Sequence, residues 1–301
     1  MSIIKRIALF LFVNIAIIVL ISTIVSIFGI DTYYLKPNGL DLTALAVMSL
    51  LWGFLGSFIS LFLSKWIAKT MMRVKIIQNA SNHQESKIFN IVSQISEQQG
   101  IKMPEIGIYD SAEINAFATG WSKNNSLVAV SSGLLNEMND DEITGVIAHE
   151  MAHITNGDMV TMTLVQGLLN AFIIFAARAV AYLVQILMGK DREEIGGFSY
   201  WITSILFEIL FGVLAAILVN IFSRWREFEA DLGGAKIVGK QKMIGALKKL
   251  QTTIDRIDTS KQQASFSNFK ISNRSGVLAL FSSHPPLEKR IRALEKNINI
   301  S

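Results

Sequence analysis

DDEITGVIAHEMAHITNGDMVTMTLVQGLLNAFIIFAARAVAYLVQILMG, residues 140–189, holds two helical patterns end to end. The first, Asp140 to Asn156, opens on Asp140, Asp141 and Glu142, which suit a helix N-terminus, and stops at Gly157, which suits its end. Ile143, Ile147 and Ile154 share one side of this helix. His149 and His153 are four apart, so their rings project from one face. The second pattern, Met159 to Gly189, is apolar but for Arg178. It exceeds the roughly 20 residues an α-helix needs to cross the hydrocarbon core of a bilayer. An amphipathic helix with two histidines thus runs directly into a membrane span.

Working outward, Ile195 to Ser223 is a second apolar run, interrupted only by Glu208. The five residues Lys190 to Glu194 leave room for no more than a turn between the two runs. Upstream, Ile7 to Ile30 carries no charge over 24 positions and Leu42 to Ser64 none over 23. The first of these is long for the apolar core of a secretory signal and no small-residue cleavage pattern follows it, so it is expected to remain as an anchor. Composition agrees: 51% of the 301 residues are hydrophobic and only 17% charged, against about 25% in a typical soluble domain. Mean hydropathy is +0.41. The expected fold class is a mainly α membrane protein with four transmembrane helices.

Lysine and arginine in short flanks orient such spans. Lys5, Arg6, Lys65, Lys69, Arg73, Lys75, Arg224 and Arg226 fall on one side; Lys36, Lys190 and Arg192 fall on the other. Eight against three puts both termini and the polar segments in the cytoplasm, with Asp31–Asp41 and Lys190–Glu194 as external turns. The expected organisation is a transmembrane hairpin (1–64), a polar segment with the two-histidine helix (65–158), a second hairpin (159–223) and a second polar segment (224–301). Each polar segment is small for a core of its own, so the two are expected to form one domain interrupted by the second hairpin. Lys65 to Asn79 reads either as a surface-lying amphipathic segment or as a plain linker helix. Asp258 to Gly276 is polar, rich in Ser, Gln and Asn, and reads as a loop. The net charge of +4 is accounted for by membrane-flanking basic residues and gives no nucleic-acid patch.

There are no cysteines, so disulfides and thiolate ligands are excluded and any metal must be held by His, Asp or Glu. Two imidazoles one helical turn apart can bind one tetrahedral zinc ion. Glu150, directly after the first of them, cannot easily reach the same ligand position but can act as base on a water held there, which is the metalloprotease arrangement. Two of the four histidines in the chain fall in this motif. Catalytic zinc keeps three protein ligands. The candidate for the third lies in Ser223 to Asp231, where Glu227 and Asp231 are four apart and share a helical face: one carboxylate can bind the metal while a second, one turn on, accepts a hydrogen bond from a ligand histidine. Taken alone, Glu227 and Asp231 read as a solvated acidic pair beside Arg224 and Arg226; taken with the histidines, the ligand reading prevails.

With these motifs in place the sequence resembles the HtpX-type membrane zinc metalloproteases of the gluzincin group, relatives of the CAAX prenyl proteases. The resemblance is carried by the two N-terminal apolar runs, Asn115-Ala-Phe-Ala-Thr-Gly120, Ala148-His-Glu-Met-Ala-His153, Ser223 to Asp231 and Ser283-His-Pro-Pro-Leu-Glu288. It implies a cytoplasmic α+β metalloprotease domain with one Zn2+ per chain. It implies His149, His153 and Glu227 as zinc ligands, Glu150 as general base and Asp231 as the acid that orients His149. It further implies His284 near the oxyanion and Asn115 lining the substrate cleft. On the residues alone, His284 before two prolines could equally be a turn histidine, and Asn115 would suggest nothing. His83 matches no motif and is expected at the surface.

Zinc would lower the pKa of its bound water to about 7, Glu150 would relay the proton, and His284 would help to stabilise the oxyanion. Ser126 to Ser131 reads as a strand, expected at a sheet edge where an extended substrate could pair with it. The position of the zinc helix beside a span points to membrane proteins, and unfolded polypeptides, cut in cytoplasmic segments. The resemblance implies quality control of damaged or misassembled membrane proteins at a bacterial inner membrane, and self-cleavage. A prenyl-protein protease is the rival enzyme; relatives of that kind carry more spans. A non-enzymatic metal-binding scaffold would not need Glu150. Arg178 and Glu208, at matching depths from the external turn, are expected to pair, since isolated charges in the membrane are costly.

Overall fold

A computed structural model describes residues 34–36, 39–189, 195–264 and 284–296. The expected first span, Ile7 to Ile30, and the Lys190–Glu194 turn lie outside the described residues, as does most of the polar stretch before His284. Among the described residues the chain is mostly helical, with a small sheet. Three helices are long and apolar enough to cross a membrane: α1 (Leu42–Met71), α5 (Asp158–Leu187) and α6 (Phe198–Val238). The chain divides into two compact units, Met1–Ile59 with Thr163–Ile221, and Ser60–Met162 with Phe222–Ser301.

In the first unit α1 crosses α5 so closely that a Cβ on Gly53 would meet the backbone nitrogen of Ala171 at 2.4 Å. Arg178 of α5 donates to Glu208 of α6, and both side chains are buried. The expected pair therefore exists. Tyr200 donates its hydroxyl to the carbonyl of Arg178 at 3.3 Å. Beside it, Ser199 donates to Gln185 at 3.0 Å.

A short antiparallel pair, β1 (Leu35–Lys36) and β2 (Gly39–Leu40), precedes α1, and the second unit is built on a sheet of β3 (Lys75–Ile76), β4 (Glu105–Tyr109), β5 (Ala116–Ser122) and β6 (Asn125–Ser131), in the order β3-β4-β6-β5. β6 pairs in parallel with β4 and antiparallel with β5. The expectation of an edge strand at Ser126 to Ser131 is therefore wrong: β6 is interior, and the edge next to it is β5. The physical sign was available, because Leu127-Val-Ala-Val130 is a continuous apolar run, the pattern of a strand covered on both faces, and all four are fully buried. Helices α2 (His83–Gln98), α3 (Ser132–Glu137), α4 (Asp140–Asn156), α7 (Lys240–Ala264) and α8 (Leu287–Lys296) complete the unit. Ile88 and Val92 of α2, Ile106 and Val128 of the sheet, and Ile147 and Met151 of α4 form the centre of its core.

Two linker expectations change. Lys65 to Met71 is the last part of α1 itself, held in register because Lys65 and Lys69 both pair with Glu105 at the start of β4. Asp258 to Ala264, expected as loop, continues α7. His83 is exposed, as expected.

Candidate metal centre

The helix that carries the histidines is closed at both ends by local chemistry. Asn139 caps its N-terminus: Asn139 Oδ1 accepts from the Glu142 amide at 3.0 Å, and Glu142 Oε2 accepts from the Asn139 amide at 2.9 Å. Gly157 ends it in the left-handed region at φ 74°, where a residue with a Cβ is strained. That reversal places Asp158 beside the last turn, so that its Oδ2 lies 2.5 Å from His153 Nδ1.

His149 and His153 turn their Nε2 atoms toward one another at 3.2 Å, with ring planes at 85°. Glu227 of α6 completes the group. Its Oε1 lies 3.5 Å from His153 Nε2 and its Oε2 3.6 Å from His149 Nε2. Two glycines allow this approach: a Cβ on Gly233 would meet Ala152 Cβ at 2.9 Å, and one on Gly234 would lie 3.2 Å from the His149 amide. With no side chain at either position, α6 packs on the backbone of α4. Glu227 is 3% exposed, whereas Glu229, on another face of α6, is exposed.

The donor set fits a zinc ion. At metal–nitrogen distances of about 2.0–2.1 Å, the edge between two ligands of a tetrahedron is about 3.3–3.4 Å, close to the separations found among the three side chains. One nitrogen or oxygen from each lies within 4.8 Å of the others. Each histidine has its Nδ1 held by a carboxylate, His149 by Asp231 Oδ1 at 3.0 Å and His153 by Asp158. This fixes the tautomer with the proton on Nδ1 and leaves the Nε2 lone pair for a cation.

A buried arginine holds the carboxylates in turn. Arg290 of α8 donates to both oxygens of Asp231, Nε to Oδ2 at 2.7 Å and Nη2 to Oδ1 at 2.6 Å. Its Nη1 lies 3.0 Å from Glu227 Oε2. His284 reaches the same oxygen with Nδ1 at 2.9 Å and is otherwise largely exposed. Arg226 anchors Asp158, donating to its carbonyl at 3.4 Å.

The electrostatics favour positive charge. Burial alone would favour neutral His153, but Asp158 and Glu227 outweigh it and push the ring up to about 9. Burial would raise Glu227, yet His153 and His284 hold its carboxyl well below the usual range. Asp231 is likewise held low against its burial by Arg290 and His149. Glu150 is partly buried on α4. Its negative charge acts on His153, on Arg290 and on Tyr109, whose phenol burial and Glu150 together push up to about 12.

The structure thus brings together His149, His153, Glu227, Asp231 and His284, with Glu150 on the same helix as the two histidines. Asn115 is not in that contact network. It is exposed, one residue before β5, and its backbone amide donates to Ser131 Oγ at 3.1 Å. Sequence reasoning missed Asp158 and Arg290. Asp158 follows the helix-ending glycine, the position from which a side chain can fold back on the last turn. Arg290 lies six residues after His284 in a short amphipathic helix, and two buried carboxylates on α6 required a cation from somewhere.

Comparison with known proteins agrees with this geometry. The profile of Peptidase family M48 matches residues 82–298. Protease HtpX of Thioalkalivibrio sulfidiphilus (strain HL-EbGR7) is 47% identical over 293 residues, covering 97% of this chain and 98% of its own. The Protease HtpX homolog of Bacillus licheniformis is 46% identical over 299 residues, covering 97% and 99%. The crystal structure of S. mikatae Ste24p shares the fold, with a TM-score of 0.57 at 20% identity, covering 94% of this chain and 67% of that one. Apolar helices of spanning length, a metal-competent His-His-Glu group and relatives of nearly identical length point the same way: the chain is an integral membrane metalloprotease and belongs to peptidase family M48.

Proposed function

We propose that this protein is a zinc endopeptidase of the bacterial inner membrane that cuts cytoplasmic segments of damaged or misassembled membrane proteins, with four spans, both termini in the cytoplasm and self-cleavage as a side activity. The observation that carries the enzymatic part is the convergence of His149 Nε2, His153 Nε2 and a Glu227 oxygen, with the far nitrogen of each ring on a carboxylate. His149, His153 and Glu227 would hold the zinc. When bound, the ion supplies a Lewis acid that makes water nucleophilic near neutral pH and polarises the scissile carbonyl.

The rest is the work of the chain. Glu150 takes the proton from the attacking water and delivers it to the leaving amine. Asp231 and Asp158 keep the histidine rings oriented, and Arg290 fixes Asp231 and Glu227 against their mutual repulsion. His284, exposed beside Glu227, donates to the carbonyl oxygen as negative charge develops there. The edge of β5 pairs with the substrate backbone, and Asn115, just ahead of that strand, lines the cleft. Recognition through backbone hydrogen bonds makes unfolded segments of many sequences acceptable. The ligands also lie close in sequence to the spans, His153 six residues before Met159 and Glu227 four after Ser223, which favours substrates at the membrane.

The test compares membrane proteomes of cells that make the active protein with cells that make Glu150→Gln. Fragments cut in cytoplasmic segments of membrane proteins should appear only with the active protein. Identical fragment sets would defeat the proposal.

A further inference from the structure

Trp121 sits at the end of β5, next to the turn into β6, and is 43% exposed. Its ring packs edge-on against Phe62 of α1, with centroids 5.1 Å apart and planes at 85°. Phe62 is itself 56% exposed, so the pair displays apolar surface as well as sharing some. The same turn is tied to the same helix by a polar contact, Lys65 Nζ donating to Asn125 Oδ1 at 2.6 Å. Trp66, the next residue on α1, is 65% exposed.

The position of Phe62 along α1 gives the depth of Trp121. Phe62 belongs to the charge-free run Leu42 to Ser64, and Lys65 is the first charge after it. Lys65 is three helical steps beyond Phe62, about 4.5 Å along the axis. Trp121 therefore lies level with the last apolar turn of the span, just inside the lysine ammonium. Tryptophan is the side chain that favours this depth, its ring in the acyl boundary and its N–H toward the headgroups. Trp225, 56% exposed between Arg224 and Arg226, stands at the corresponding edge of the apolar part of α6. An aromatic cluster facing water would be a patch prone to association. Its continuity with the apolar run of α1 and the Lys65 ammonium beside it select a lipid surface instead.

We propose that the end of β5 rests in the bilayer surface, with Trp121 and Phe62 at the boundary of acyl chains and headgroups and the polar Ser122–Asn125 turn among the headgroups, so that the membrane itself holds one end of β5. Lys123 in that turn donates to the carbonyl of Thr155, two residues after His153, which brings the turn close to the metal-binding end of α4. From Trp121 back to Ala116 the strand covers five steps of about 3.3 Å, about 17 Å. On the protease reading above, a polypeptide paired along β5 has one end at the membrane surface. The preferred substrates are then chain segments that have just left the bilayer.

The full-length protein, with four of its five tryptophans (Trp52, Trp66, Trp201 and Trp225) changed to Phe, is reconstituted in lipid nanodiscs. Emission from Trp121 should be quenched by lipids brominated near the top of the acyl chain, less by lipids brominated near its end, and little by aqueous iodide. Efficient iodide quenching without lipid quenching overturns this placement. The native protein with only Trp121→Phe supplies the same measurement by difference, should the multiple variant fold poorly. For the substrate claim, Trp121→Ser is given casein and a membrane-anchored peptide cut close to its span. The ratio of anchored-peptide to casein cleavage should fall; an unchanged ratio overturns that claim. Absence of cleavage by the native protein would defeat the protease reading but leave the depth measurement standing.

Discussion

Glu227 and Glu229 are two residues apart and chemically identical, yet the structure gives them opposite environments: one buried against both histidines, the other in solvent. Glu227→Ala should therefore abolish zinc retention, and Glu229→Ala should leave it intact, as read by metal content after purification. Zinc loss from Glu229→Ala would show that the wrong carboxylate has been assigned. Asp158→Asn keeps the size of the side chain but removes the charge on His153 Nδ1. It should weaken zinc affinity by roughly 10- to 100-fold, the usual cost of an outer hydrogen-bond partner, measured by competition with a chelator. An unchanged affinity would reduce Asp158 to a helix-end residue. His149 and His153 were legible from their spacing, whereas Glu227 and Asp231 read alone as a solvated acidic pair and became candidates only beside the histidines and through the family resemblance. Asp158 and Arg290 were not, because nothing in a linear pattern says which charge is buried or what it faces.

At the scale of elements, the site depends on how closely α6 can lie on α4. Gly234 sits in tight quarters: a Cβ there would be 3.0 Å from Met243 Sδ and 3.2 Å from the His149 amide, so even a methyl group requires its neighbours to give by a few tenths of an ångström and a branched side chain requires more. Gly234→Val should push the helices apart and withdraw Glu227 from the histidines. The expected result is a membrane-inserted protein with lowered zinc content, checked by membrane fractionation beside metal analysis. Full zinc content would show that α6 can shift without cost to the site. The two-histidine helix was read correctly from its acidic start and its Gly157 end, since caps are local signals. The role of β6 was misread, because strand order is set by pairing between segments distant in sequence. The polar stretch from Asp258 looked like loop by composition, yet as far as Ala264 it continues the helix begun at Lys240.

At the scale of the molecule, the apolar runs were the most legible feature, since spanning length and absence of charge need no knowledge of contacts. Three of them are helices of the expected kind. The expected pairing of Arg178 with Glu208 also held, because a helical hairpin has few ways to be assembled. Orientation rests on the distribution of lysine and arginine. A reporter fused after Ser301 should behave as cytoplasmic and a tag inserted at Asn38 should be reachable from outside the cell; the reverse pattern would move the proposed substrates to the other compartment. The proposed function requires this chain to bind a metal through one set of side chains and to activate water with another. The most direct test is to purify Glu150→Gln beside the native protein and measure zinc and casein cleavage on the same samples. One zinc per chain is expected in both, and cleavage only in the native protein. Zinc loss in Glu150→Gln comparable to that of His149→Ala, or cleavage retained without Glu150, would contradict the proposed function.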